Sequence, residues 1–220
     1  MNDMNFAKAR HNMVEQQIRT WTVLDFTVLE TIENFPRERF VPEQYQKVAY
    51  SDVAIPLAHG QEMLHPKIEA HLLQAADVKS TDNVLEIGTG SGCVTALLAT
   101  LAKHVDSVDI FSDMQAEASK TLQSNNINNV TMIEGDASAG WGNKDQYDVV
   151  AITGSMPELP QQYIDALKVG GRLFAVIGEG ETMEAIQITR PYGDKWEKKS
   201  LFETYVPALV NASKPPEFVF

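Results

Sequence analysis

Val84-Leu85-Glu86-Ile87-Gly88-Thr89-Gly90-Ser91-Gly92 is the stretch whose reading decides the fold. A short apolar run, Val84 to Ile87, enters three alternating glycines, and Val94 to Ala102 then reads as a helix. A strand, a glycine turn and a helix in succession bring a ligand close to the backbone. Glycine makes room because it has no Cβ and takes dihedrals closed to other residues. The register narrows the ligand. A dinucleotide loop of the form G-x-G-x-x-G would place its third glycine at position 93, which is Cys93, and Gly92 comes one residue early. A phosphate loop ending in Gly-Lys-Ser/Thr is absent.

Downstream carboxylates sharpen this. Asp109 closes the next apolar run, 21 residues after Gly88, where a carboxylate can accept both hydroxyls of a ribose. Asp136 follows the third run in Glu134-Gly135-Asp136-Ala137 and is placed to hold the adenine side of the same pocket. Glu86, just ahead of the glycines, is expected to orient the loop or the amino-acid end of the ligand. Three carboxylates around one crevice suit a nucleoside carrying a cationic sulfonium and repel the phosphates of NAD. Asp109 or Asp136 taken singly also reads as a helix cap, and the glycine loop alone as a structural turn. Their shared position at the ends of successive strands is what favours a site.

Working outward, apolar runs alternate with helix-length segments. Strands are expected at Val84–Ile87, Val105–Ile110, Val130–Ile133, Tyr147–Ile152 and Arg172–Ile177, and helices at Val94–Ala102, Met114–Ser124 and Leu159–Leu167. Strands that are apolar without clean alternation indicate a mostly parallel sheet covered on both faces. Ala185–Thr189 and Leu201–Val210, with Gly193 in a turn between them, add an antiparallel hairpin and bring the sheet to seven strands. The fold class is therefore α/β, a Rossmann-like sheet with helices on both faces and an N-terminal helical extension. Residues 1–80 form that extension: an amphipathic helix over Phe6–Ile18, a second capped by Asp25 and stopped by Pro36, a loop from Ala49 to Pro66, and a helix over Lys67–Ala76. Residues 81–220 form the ligand-binding part. The tail NASKPPEFVF reads as extended surface.

Composition excludes several classes. The 220 residues carry 18 Lys plus Arg against 30 Asp plus Glu, a formal net charge of −12, with no basic stripe, which argues against nucleic acid as a partner. The single cysteine, Cys93, offers no internal disulfide, and five histidines form no zinc-binding pattern, so no metal is expected. No run approaches the roughly 18 apolar residues of a membrane span, and the N-terminus lacks a signal-peptide core, so a cytoplasmic location is expected.

VLEIGTGSG, the acid ending the second strand and the post-strand Gly135-Asp136 together resemble the S-adenosylmethionine-dependent methyltransferases of the Rossmann-like class. Within that class the chain resembles the protein-L-isoaspartate O-methyltransferases. The matching pieces are Met13-Val14-Glu15-Gln16-Gln17, Val28-Leu29, Pro36-Arg37-Glu38-Arg39-Phe40-Val41-Pro42 and Ala49-Tyr50-Ser51-Asp52. Ile55-Pro56-Leu57, Gly60-Gln61, Gly170-Gly171-Arg172-Leu173 and Tyr205-Val206-Pro207 follow in order. The resemblance spans about residues 10–210, and PRERFVP makes it far more specific than a glycine loop. It implies methyl transfer from S-adenosyl-L-methionine to the carboxylate of L-isoaspartyl residues in damaged proteins or peptides. By the same resemblance, Glu86, Gly88, Thr89, Gly90, Ser91 and Gly92 hold the methionine portion, Asp109 the ribose, and Asp136 with Ala137 the adenine.

One departure bears on the acceptor. Relatives follow Gly-Gln with Thr-Ile-Ser, whose hydroxyls lie beside the acceptor carboxylate; here Gln61 is followed by Glu62, Met63, Leu64 and His65. Glu62 would repel an incoming carboxylate unless protonated or paired, and Leu64 donates no hydrogen bond. Gln61 is then a candidate polar contact on the acceptor side, as are His59 and His65, which read equally as surface or loop-packing residues, with Asp52 as a loop anchor or simple turn residue. The usual glycine after the early arginine is also missing around Arg19-Thr20-Trp21. Displacement at a sulfonium by an existing carboxylate needs alignment rather than a protein nucleophile. Three readings stay open: a carboxylate methyltransferase, a methyltransferase of the same build with another acceptor, and a non-catalytic S-adenosylmethionine-binding protein. An acidic dehydrogenase is disfavoured by the register at Gly92 and Cys93. Oligomeric state is left open.

Overall fold

The computed structural model describes residues 5–180 and 182–212. Two short strands, β1 (Ile55–Pro56) and β2 (Glu62–Met63), pair antiparallel within the segment expected to be a loop. The main sheet holds β3 (Asn83–Ile87), β4 (His104–Asp109), β5 (Val130–Glu134), β6 (Tyr147–Met156), β7 (Leu167–Glu179), β8 (Thr182–Tyr192) and β9 (Lys195–Glu203), in the order β5-β4-β3-β6-β7-β8-β9. Strands β3 to β7 run parallel, and β8 and β9 fold back antiparallel. The mostly parallel seven-stranded sheet expected from the sequence is present.

Alternation along the buried strands feeds two cores. Val84, Val105, Val149, Ala151 and Phe174 point to one face, and Leu85, Ile87, Val108, Val150 and Ile152 to the other. On the first face lie α2 (Phe26–Asn34), α3 (Pro66–Ala76) and α4 (Cys93–Leu101), whose apolar stripes bury Ile32, Leu72, Leu73, Leu97 and Leu98. The second is covered by α6 (Gln161–Ala166), through Tyr163 and Ile164. The N-terminal segment shares the first core: Met13, Val14 and Ile18 are buried in it.

Local chemistry sets the ends of these elements. The Asp25 carboxylate accepts from the Val28 N–H at 3.0 Å and starts α2. Phe35, preceding Pro36, is held extended and ends it. The first helix, α1, is regular only over Phe6–Met13 and continues as a π-turn from Val14 to Ile18 rather than as the single helix expected over Phe6–Ile18.

The last strand also differs from expectation. It runs over Lys195–Glu203, not Leu201–Val210. The Lys195–Ser200 stretch is exposed throughout, so its apolar signal is weak, as befits the edge of a sheet. Residues 204–210 instead leave the sheet after Glu203. They cross over β6 through a single parallel bridge between Ser155 and Ala208. The tail beyond residue 212 lies outside the described residues. Among those described, no helix is long and apolar enough to cross a membrane.

Candidate active site

The chain leaves β3 on one side through α4, β4, α5 (Ser112–Ser124) and β5, then returns to pair β6 on the other side of β3. The strand order therefore reverses at β3 and β6, and the crevice beyond their carboxyl ends is where open α/β sheets bind ligands. A cleft lies there. Gly88, Gly90, Asp109, Asp136 and Ala137 line the sheet side, and Gln61, Glu62 and Val206 to Val210 the facing side.

The glycine loop is built for close approach. Gly88 has φ +94°, and a Cβ there would lie 2.3 Å from Thr153 Oγ1. That hydroxyl is already committed to the carbonyls of Ile87 and Gly88, at 2.9 and 2.8 Å. Gly92 caps α4 in the left-handed conformation, with room for a Cβ limited by Ala118 at 3.1 Å.

Under the loop, Glu86 is fully buried, and Thr95 Oγ1 and Ser107 Oγ each donate to its Oε2 at 2.6 Å. Ser107 Oγ also lies 2.6 Å from Thr89 Oγ1, which ties the loop to the sheet floor through one chain of hydroxyls. Burial pushes the Glu86 carboxyl up to about 8, the two hydroxyls opposing the shift and Asp109 adding to it. Its Oε1 has no hydrogen-bond partner among the described residues.

Asp109 accepts the Gly90 N–H on Oδ2 at 3.0 Å and the Phe111 N–H on Oδ1 at 2.9 Å. Each oxygen keeps acceptor capacity toward the cleft, enough for two ligand hydroxyls. Asp136 is exposed; it accepts the Ser138 N–H and the Asn211 side-chain N–H, both at 2.9 Å. Those bonds hold its carboxyl below the usual range.

The remaining expected residues divide. Thr89, Ser91 and Leu64 line a smaller cavity beside the main cleft, together with Glu62 and Gly90. His65 lines neither space: its Nδ1 faces Asp52 at 3.3 Å, at the start of α3. Asp52 also receives Lys67 Nζ at 2.7 Å, which supports the loop-anchoring expectation for Asp52.

Three features of the site emerge only in the structure. The Val206–Val210 strap, expected as strand, is held by Ser155, whose hydroxyl donates to the Val206 carbonyl at 2.7 Å. Phe111 lines the cleft and stacks on His59 at 4.1 Å, while His59 Nε2 meets Asp113 at 2.8 Å. Arg37, Glu69 and Cys93 form a buried polar cluster. Arg37 sits inside PRERFVP, and a charged residue within so specific a motif was its one available signal. Among the described residues no group of three or more His, Cys, Asp or Glu is placed to hold a metal ion.

Residues 8–213 match the family model for protein-L-isoaspartate(D-aspartate) O-methyltransferase. The chain belongs to that family. The protein-L-isoaspartate O-methyltransferase of Methanoculleus marisnigri is 37% identical over 186 residues, covering 84% of each chain. That of Protochlamydia amoebophila is 37% identical over 199 residues, 90% of this chain and 95% of the relative. Among solved structures, one described as a putative protein-L-isoaspartate O-methyltransferase from Plasmodium falciparum in complex with S-adenosyl-L-homocysteine superposes with a TM-score of 0.75 over 94% of this chain and 99% of that one. At 20% identity that likeness concerns the fold. The family is one of S-adenosylmethionine-dependent enzymes, and the local chemistry fits such a cofactor: the cradle at Gly88 that a Cβ would fill, and the spare acceptor capacity of Asp109.

Proposed function

We propose that this enzyme transfers a methyl group from S-adenosyl-L-methionine to the free carboxylate of L-isoaspartyl residues in damaged proteins or peptides. One observation carries the reading: in a chain of this family, Gly88, Gly90, Asp109, Asp136 and Ala137 converge on a single cleft, with Gln61 and Glu62 facing them. When bound, the cofactor supplies an electrophilic methyl group on a positively charged sulfur.

The chain's own residues have simple tasks. Asp109 accepts the ribose hydroxyls, and Asp136 with Ala137 borders the adenine. Gly88 to Gly92, with Thr89 and Ser91, give the methionine portion access to the backbone, while Glu86 props the loop from below. Gln61 and Glu62 edge the acceptor side. The acceptor oxygen is already ionised at neutral pH, so no residue needs to remove a proton; alignment and exclusion of water are what the cleft contributes. Residues 1–80 serve as the cover of the site and 81–220 as the cofactor-binding part. Cytoplasmic damaged proteins or peptides are the partners this reading favours. The net charge of −12 argues against nucleic acid.

The test uses labelled S-adenosylmethionine with an isoaspartyl peptide and its aspartyl counterpart. Selective labelling of the isoaspartyl peptide is expected. Binding of cofactor without labelling of either peptide would redirect the acceptor assignment. Asp109→Ala should weaken S-adenosylhomocysteine binding by about a hundredfold, the scale of two hydrogen bonds to a charged group; unchanged affinity in calorimetry would remove Asp109 from the ribose.

A further inference from the structure

Beside the main cleft lies a second, smaller space, between the glycine loop and the β2–α3 segment. Glu62, Leu64, Glu69, Gly90, Ser91 and Cys93 are among the residues around it. Glu69 is the unusual one. Its side chain is 5% exposed, and it comes from the first turns of α3, a helix otherwise packed with Ile68, Leu72 and Leu73.

One Glu69 oxygen is fully explained. Oε2 receives Arg37 Nη1 in a buried ion pair and lies 3.9 Å from the Cys93 thiol. Arg37 is itself fixed elsewhere, donating from Nε to the Ala49 carbonyl at 2.8 Å and from Nη2 to the Leu64 carbonyl at 2.9 Å. The other oxygen, Oε1, is buried and has no hydrogen-bond partner among the described residues. Leaving a buried carboxylate oxygen without a partner is costly, and such exceptions call for an explanation. Burial raises the Glu69 carboxyl, while the Arg37 guanidinium opposes that shift. The direct ion pair makes the carboxylate an acceptor, so what Oε1 lacks is a donor. Glu62, on the same cavity, adds a second acid.

We infer that this cavity is a subsite for a nitrogen donor, an ammonium or amide N–H carried by one of the two reactants and received by Glu69 Oε1. Two sources present that chemistry: the α-ammonium of the cofactor's methionine portion, and the amide N–H on the carbon that bears the acceptor carboxylate. The second would make Glu69 a specificity residue. In an isoaspartyl residue the free carboxylate and the amide nitrogen share one carbon, whereas in a normal aspartyl residue a methylene separates them. The inference rests on the proposed methyl transfer for the identity of the reactants.

Glu69→Gln in the full chain tests it. The amide keeps an oxygen for Arg37 and turns an NH₂ toward the cavity, replacing an acceptor by a donor. Binding of S-adenosylhomocysteine, and of its analogue lacking the α-amino group, is measured by calorimetry. KM and kcat are measured for an isoaspartyl peptide and for the same peptide N-methylated at the isoaspartyl nitrogen. If the donor is the cofactor's ammonium, the variant loses about tenfold in S-adenosylhomocysteine affinity and no longer distinguishes the analogue. If it is the peptide's amide, cofactor affinity holds, KM rises about tenfold with kcat little changed, and the N-methylated peptide is equally poor with both proteins. A folded variant within about twofold of the unaltered chain in all these measurements overturns the subsite. Should Glu69→Gln not fold, Glu69→Asp keeps the charge beside Arg37, withdraws the second oxygen by one methylene and carries the same comparison. An unaltered chain that labels no isoaspartyl peptide tells against the proposed acceptor instead, and the two cofactor ligands then decide the subsite alone.

Discussion

The two banks of the cleft are made differently. On the sheet side, Gly88, Asp109 and Gly135 to Ala137 occupy the carboxyl ends of consecutive parallel strands, each fixed by ladder pairing and by a core on both faces. The facing side is assembled from distant pieces: a two-residue ladder carrying Glu62, and a strap at residues 206–210 that has left the sheet. Ligand geometry on the first bank is a by-product of strand pairing. On the second it depends on a handful of individual hydrogen bonds. Substitutions on the sheet side should therefore be severe and act through the loop's shape, and those on the facing side graded and partly kinetic.

The largest effect is expected at Gly88. In Gly88→Ala the new Cβ would sit 2.3 Å from Thr153 Oγ1, at φ +94°, where an L side chain is strained. Thr153 cannot yield without dropping two hydrogen bonds to the loop's own carbonyls. A stability loss of about 1–3 kcal/mol from backbone strain alone should accompany loss of detectable S-adenosylhomocysteine binding. Thermal unfolding and calorimetry on the same sample check both. Normal cofactor affinity in this variant would show that the loop adapts, and would erase the contrast between the banks.

That contrast also explains what was legible in the sequence. The sheet side could be read because each of its residues is tied to a local pattern: VLEIGTGSG, an acid at a strand end, Gly135-Asp136. The acceptor side could be read only in part. His65 sits in the right segment, yet α3 begins at Pro66 and the imidazole faces Asp52. Tyr205-Val206-Pro207 belongs to the family pattern, but nothing in its spacing says that the chain has left the sheet after Glu203 and lines the cleft. The Arg37–Glu69 pair joins residues 32 positions apart. Only the packing of α3 against the PRERFVP segment brings them together, and a single sequence carries no mark of that contact.

Glu86 gives a middle-sized effect, confined to the sheet side. Its carboxyl is raised to about 8 in the folded protein by burial, against about 4.3 in an unfolded chain. A raised acid means the folded state holds the proton more tightly. Stability from this group is therefore fully present below the unfolded value and is lost progressively as pH rises toward about 8. Glu86→Gln, which mimics the protonated form, should match the unaltered chain near pH 4 and grow steadily more stable than it as pH rises to 9. Urea unfolding at the two pH values measures this. Equal differences at both would mean that the Thr95 and Ser107 hydroxyls keep Glu86 ionised throughout.

The smallest effect should come from the strap and should separate cover from scaffold. Ser155 is fully buried and holds the strap three times: its hydroxyl on the Val206 carbonyl at 2.7 Å, its N–H on the Pro207 carbonyl at 2.9 Å, and its carbonyl accepting the Leu209 N–H at 2.8 Å. Ser155→Ala removes only the first, leaving one buried carbonyl a partner short, at a cost of about 1 kcal/mol. In a chain of this size that lowers the melting temperature by about 2–4 °C. Asn211 still bonds Asp136, and Leu209 still packs over Gly154, so the strap stays docked on average. What changes is how often it lifts. Stopped-flow release of S-adenosylhomocysteine should quicken about twofold to fivefold, the kinetic equivalent of up to 1 kcal/mol, with little change in association. A lower melting temperature with unchanged release would make the strap part of the scaffold, and the facing bank would then be as rigid as the sheet it opposes.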